Sequence, residues 1–139
     1  MNHIVRIGIT ALVALVPTVV PAQRAADAEA ECYKLVGHVS ARECLGRHEA
    51  ESATLVEKAE RDLLVSLRQE SKDPGDASRA VEALDLSARQ YKLYRKSQCD
   101  LVASLALGGN SATDRRLLCQ IDLDKRRVAD LTRELHHGI

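Results

Sequence analysis

A chain of 139 residues with 20 basic and 20 acidic side chains, three Tyr, no Trp and no Phe lacks both the basic excess and the aromatic stacking surface that nucleic-acid binding requires. Its length suits a single domain, and the four cysteines make the redox compartment the first question to settle.

Residues 1–22 read as a secretory signal peptide. Arg6 is the one formal charge there, Ile7–Val16 is a short apolar run, and Val20-Pro21-Ala22 forms a small-residue cleavage site before Gln23-Arg24. The apolar stretch Ile7–Val20 falls short of the roughly 20 residues that span a bilayer, and Pro17 interrupts it. Cys32 follows Ala-Glu-Ala-Glu instead of a lipobox, so no lipid anchor is expected. The expected mature chain is residues 23–139, one domain without a membrane span, periplasmic or secreted. Loss of Arg6 leaves it with 19 Lys+Arg against 20 Asp+Glu.

Beyond the leader, apolar residues recur at helical spacing, and no stretch alternates as a strand would. Residues 27–36 are expected to form a short helix ended by Gly37. Ser40-Ala-Arg-Glu43 has the form of a capping box and opens a long amphipathic helix. One face of that helix carries Leu45, Ser52, Val56, Ala59, Leu63 and Leu67; the other carries Glu49, Lys58, Glu60, Arg61 and Arg68. The helix should end in Ser71–Asp76. Asp73-Pro74 or Asp76 starts the next, whose stripe runs Val81, Leu84, Ala88, Tyr91, Leu101 or Val102, and Leu105 to an end at Gly108-Gly109-Asn110. Ser111-Ala-Thr-Asp114 reads as a further capping box before Leu117, Ile121, Val128, Leu131 and Leu135, with Gly138 as terminator. The fold class is therefore all-α: an antiparallel bundle of three main helices plus a short N-terminal helix.

Cys32 and Cys44 are equidistant from Gly37-His38, and Cys99 and Cys119 from Gly109. Equidistance across a helical hairpin sets residues side by side, at disulfide range. This favours Cys32–Cys44 and Cys99–Cys119. The up-down-up layout gathers all four at one end, so spacing leaves Cys44–Cys99 with Cys32–Cys119 open. Disulfides agree with export.

Catalytic and metal-binding patterns are weak. The cysteines lack the close spacing of structural zinc sites and of thiol oxidoreductases. His38 and His48 fall on different elements in this reading, and His136-His137 sits at a terminus. Ser66 and Ser104 have no evident base, and Asp122–Arg127 reads as a solvated helix face. A non-enzymatic protein with no cofactor and no metal is expected.

Tyr91-Lys-Leu-Tyr94-Arg95 with Cys99 four residues on, then Gly108-Gly109 with Ser111, Cys119, and Arg127 followed by Leu131, resembles the lysozyme-inhibitor LprI family of bacterial envelope proteins. The spacing of Cys32 and Cys44 is similar to that family's N-terminal pair. Departures are Tyr91 for the usual Trp, Asn110 inserted in the turn, and Leu123-Asp124 where Leu-Thr is common. The resemblance implies a binding protein that blocks lysozyme. Gly108, Gly109, Asn110 and Ser111 are the candidate partner-binding loop; the alternative loop, 72–76, lies at the opposite end. Tyr91, Tyr94, Arg95 and Arg127 are family-motif residues, read more economically as packing the second helix, with Arg95 on a carbonyl or carboxylate. The competing reading is an envelope adaptor that binds another envelope protein through a helical face.

Overall fold

The computed structural model describes residues 22–70 and 73–137. Four helices account for the fold: α1 (Ala22–Cys32), α2 (His38–Glu70), α3 (Pro74–Ser104) and α4 (Asn110–His137). There is no strand among the described residues, and the helices pack on one another as the expected bundle. The expected leader, up to residue 21, and the expected terminator Gly138 lie outside the described residues.

The boundaries show where local signals were overruled. α1 starts five residues before the expected position, within the helix-favouring Ala22-Gln-Arg-Ala-Ala segment, and ends at Cys32, where Lys34 and Leu35 N–H donate to Glu31 and Cys32 carbonyls in a tighter turn. Ser40 is not the N-cap of α2. Gly37 at φ 98° reverses the chain, and its carbonyl accepts from Ala41 N–H at 3.2 Å, so the helix is already running at His38. His38 and His48 consequently share α2, against the expected separation. Likewise Ser111 lies inside the first turn of α4, because Gly109 C=O accepts from Ala112 N–H. At α3 the expected signal holds: Asp73 caps, accepting from Gly75 N–H at 2.7 Å, and Pro74 takes the first helical position.

α2 and α4 run parallel and share the largest interface, while α3 returns between their ends and packs more on α4 than on α2. The core is in two apolar parts. Cys32, Cys44, Leu45 and Ile121 form one with Leu117 and Leu118. Leu63, Leu67 and Leu131 form the other, with Ala59, Ala80, Val81, Leu84 and Leu135 packed against it. Of the expected α3 stripe, Leu101 and Leu105 face solvent, and Cys99 and Ala103 turn inward instead.

Both disulfides are the local pairs, Cys32–Cys44 and Cys99–Cys119. Leu117, Leu118 and Ile121, which bracket Cys119, pack against the Cys32–Cys44 cluster, so both bonds lie at one end of the bundle. Each joins neighbours across one turn.

Candidate functional site

Between the two apolar parts of the core lies a polar layer that touches three helices. Asp124 of α4 is 1% exposed, which corrects its reading as part of a solvated face. Its carboxylate accepts from Ser52 Oγ of α2 at 2.7 Å, from Tyr91 OH of α3 at 2.6 Å, and from Arg95 Nε and Nη2 of α3 at 2.7 and 2.8 Å. Arg95 Nη2 also donates to Glu49 Oε1 at 2.6 Å. The two-pronged Arg–carboxylate geometry is the strong form of this contact.

Arg127 extends the layer. Its guanidinium lies 5.4 Å from the Tyr91 ring centre and donates to Ser87 Oγ and Glu60 Oε1 at 3.0 and 3.3 Å. Its Nε and the Ser66 hydroxyl are buried without a protein partner. Glu49 and Glu60 therefore belong to partly buried ion pairs, not to the solvated face expected of them. Burial works against the Arg95 charge, but its hydrogen bonds to Asp124 and Glu49 outweigh burial and hold the guanidinium charged. Burial, then the hydrogen bond to Asp124, pushes Tyr91 well above the usual tyrosine range, although Arg95 and Arg127 oppose this.

An expected outcome follows for alkaline titration. Tyr91 should ionise only with unfolding, so the phenolate band lost in Tyr91→Phe should appear together with the loss of helicity. Because the folded value is the higher one, its stabilisation is complete below about pH 10 and is lost as pH rises above that. A Tyr91 phenolate appearing before loss of helicity would contradict the buried hydrogen bond.

The candidate loop lies elsewhere, at the disulfide end. After Ser104, Leu105–Leu107 wind in a tighter turn, and Leu107, Gly108 and Gly109 take successive positive φ of 53°, 95° and 81°. Gly108, Gly109 and Ser111 are exposed; Asn110 opens α4. Below the loop, Asp114 is buried and pairs with Arg42 Nε at 3.4 Å. Tyr91, Arg95 and Arg127 are thus brought together in the polar layer and Tyr94 is exposed on α3, while the loop residues form a separate surface feature.

A groove of about 440 Å³ between α2 and α3 has Leu64, Val81, Leu84 and Ala88 along it and Glu57, Arg61, Arg68, Asp85 and Lys92 at its rim. Among the described residues, one cluster of metal-ligand type brings Cys32, Cys44 and His48 together. Its sulfurs are bonded to each other, which leaves no thiolate for a metal.

A family model described as lysozyme inhibitor LprI matches residues 24–131. The chain belongs to the LprI lysozyme-inhibitor family. No curated protein and no solved structure matches it. The LprI match spans α1 through most of α4, and so takes in both disulfides, the polar layer and the exposed loop. An inhibitor family is non-enzymatic in its described role. That role and the disulfides both point outside the cytoplasm. Among the described residues, no helix is long and apolar enough to cross a membrane.

Asp124 is the functional-looking residue that sequence reasoning passed over, and its signal was present. Leu117, Ile121, Asp124, Val128, Leu131 and Leu135 keep one three-to-four spacing, so Asp124 fills a core position of α4. Arg95 does the same in the α3 stripe and Ser52 in that of α2.

Proposed function

We propose that the chain is exported by cleavage of residues 1–22 and acts in the periplasm or outside the cell as a lysozyme inhibitor. It works by occlusion, with no catalysis and no cofactor of its own. The match of the LprI family model across residues 24–131 carries this reading. The loop at Gly108, Gly109, Asn110 and Ser111 supplies the occluding element: it protrudes, and Cys99–Cys119 closes the hairpin beneath it. A crosslink of this kind lowers the ordering entropy that binding must overcome. The target cleft is concave and carries two carboxylates. Backbone N–H groups of a glycine turn can approach these closely.

The test is titration of oxidised residues 23–139 against c-type and g-type lysozymes, with a reduced and alkylated control. Saturable inhibition that disappears on reduction is the expected result. Asn110→Ala combined with Ser111→Ala should weaken inhibition without loss of helicity. A folded, disulfide-bonded protein that leaves both lysozymes active would favour an envelope adaptor instead. The adaptor would use the open α2–α3 groove, whose apolar floor and charged rim suit a partner helix.

A further inference from the structure

The end of the bundle that carries the Gly108-Gly109 turn holds a second loop, and the two form one surface. Arg42 meets Asp114 and Ser52 meets Asp124, each pair 72 residues apart, so α2 and α4 keep a constant parallel register. Carried back to the helix starts, that register sets Val39 level with Ser111, so the loops that lead into α2 and α4 lie at the same end of the bundle. Tyr33, at the end of α1, lies close enough to Asp114 in the first turns of α4 that burial, together with that carboxylate, raises its phenol pKa.

Both loops turn aliphatic side chains outward. Val36 is 97% exposed and Leu107 95%; Val39 is 72% exposed, and Leu105 is exposed beside them. Scattered exposed aliphatics are ordinary, but a group at the tips of two adjacent, disulfide-closed loops is the mark of an interaction surface. Leu107 sharpens the point. At φ 53° it holds a left-handed conformation that Gly, Asn or Asp adopts far more readily than Leu. Its side chain packs almost nothing inside the protein. Strain kept at an exposed position points to a role in contact with something else.

Charge selects the partner. Asp114 is matched by Arg42, and Asp100 by Lys96 and Arg116. Exposed Lys34, in the first loop, and Arg115, one turn below the second, have no ion-pair partner among the described residues; the carboxylates left near them are Glu43 and, one turn down α1 from Tyr33, Glu29. Resting on the lysozyme reading above, we infer that Val36 and Leu107 are paired apolar anchors that enter a lysozyme's glycan-binding cleft, with Lys34 and Arg115 facing its catalytic carboxylates. Sugar-binding clefts offer apolar walls for ring faces around a carboxylate pair, and this tip presents the complement. The contact is therefore made by two loops.

The experiment compares lysozyme inhibition by the oxidised wild-type protein with that by Val36→Asp, Leu107→Asp, Lys34→Glu with Arg115→Glu, and the mid-helix control Leu86→Asp. Each substituted residue is exposed, and Asp suits the left-handed position at Leu107, so folding should be unaffected; helicity and thermal unfolding verify this. Each tip variant should lose about tenfold or more in potency, and Leu86→Asp none. A wild-type protein without inhibition overturns both this inference and the functional reading. Wild-type inhibition with undiminished tip variants overturns the inference alone. Sedimentation that finds a wild-type dimer and monomeric tip variants would assign the surface to a second copy and also overturn it.

Discussion

Asp124→Ala should lower the unfolding free energy by about 3 kcal/mol, the lower part of the range for removing one partner of a buried ion pair. The substitution removes the acceptor for four hydrogen bonds from three side chains on two other helices. Ser52 keeps its bond to the Glu49 carbonyl, and Arg95 keeps Glu49, which is why the upper part of the range is not reached. Tyr91 and one side of the Arg95 guanidinium are left without their acceptor inside the bundle, and uncompensated charge is the costly part. Against a total stability of roughly 5–15 kcal/mol this is a large fraction. Urea unfolding of the oxidised protein reads it as a shift in midpoint at constant slope. Arg95→Met with Asp124→Leu should cost less than the sum of the single changes, since the paired replacement removes both buried charges together and leaves only the partly exposed Glu49 without its partner. A cost for Asp124→Ala below about 1 kcal/mol, the value of an ordinary hydrogen bond, would mean that the layer is solvated and not a structural hub.

Replacing both Cys32 and Cys44 by Ala should destabilise the protein by about 3 kcal/mol, as expected for opening a covalent loop of this length, and should release α1 while α2, α3 and α4 stay assembled. The two cysteines are 12 residues apart in sequence and buried in the same apolar cluster. α1 is an 11-residue helix, at the length where isolated helices are marginal in water. Besides the disulfide, its attachment rests on buried Ala28 and on Glu31, whose carboxylate lies 3.4 Å from His48 Nε2. Hydrogen exchange should show α1 amides losing protection well before those of α2 and α4. Protection of α1 equal to that of the bundle in the double variant would show that packing alone holds it. Loss of lysozyme inhibition alongside α1 release would implicate the loop that follows Cys32, since Val36 and Val39 are positioned by this bond.

Much of the fold was legible because local chemistry and global packing agree. Helical periodicity, Pro74 after Asp73 and the two turn glycine sites place four helices nearly where they are found, and turn-centred cysteine pairs match the observed bonds. The capping boxes at Ser40 and Ser111 were misleading. Each sits just past a glycine that has already turned the chain, and once a helix starts at that turn a downstream serine has no free N–H to cap. Polarity was misread for a different reason. A charged residue is ordinarily solvated, so Asp122–Arg127 reads as one exposed run even though the three-to-four spacing of α4 puts Asp124 in the core stripe. Its partners are 72 residues away on one helix and about 30 on another.

The sequence by itself therefore determined the helical class and the turn sites and favoured the local cysteine pairing, because these depend on interactions among residues close along the chain; the structure decided the pairing. Tertiary structure alone decided which polar side chains are buried and which apolar ones are left outside. Asp124, Arg95, Glu49 and Ser52 meet only when three helices are set in register. Val36 and Leu107 become one surface only because α2 and α4 start side by side, an arrangement that depends on contacts between residues far apart in the chain.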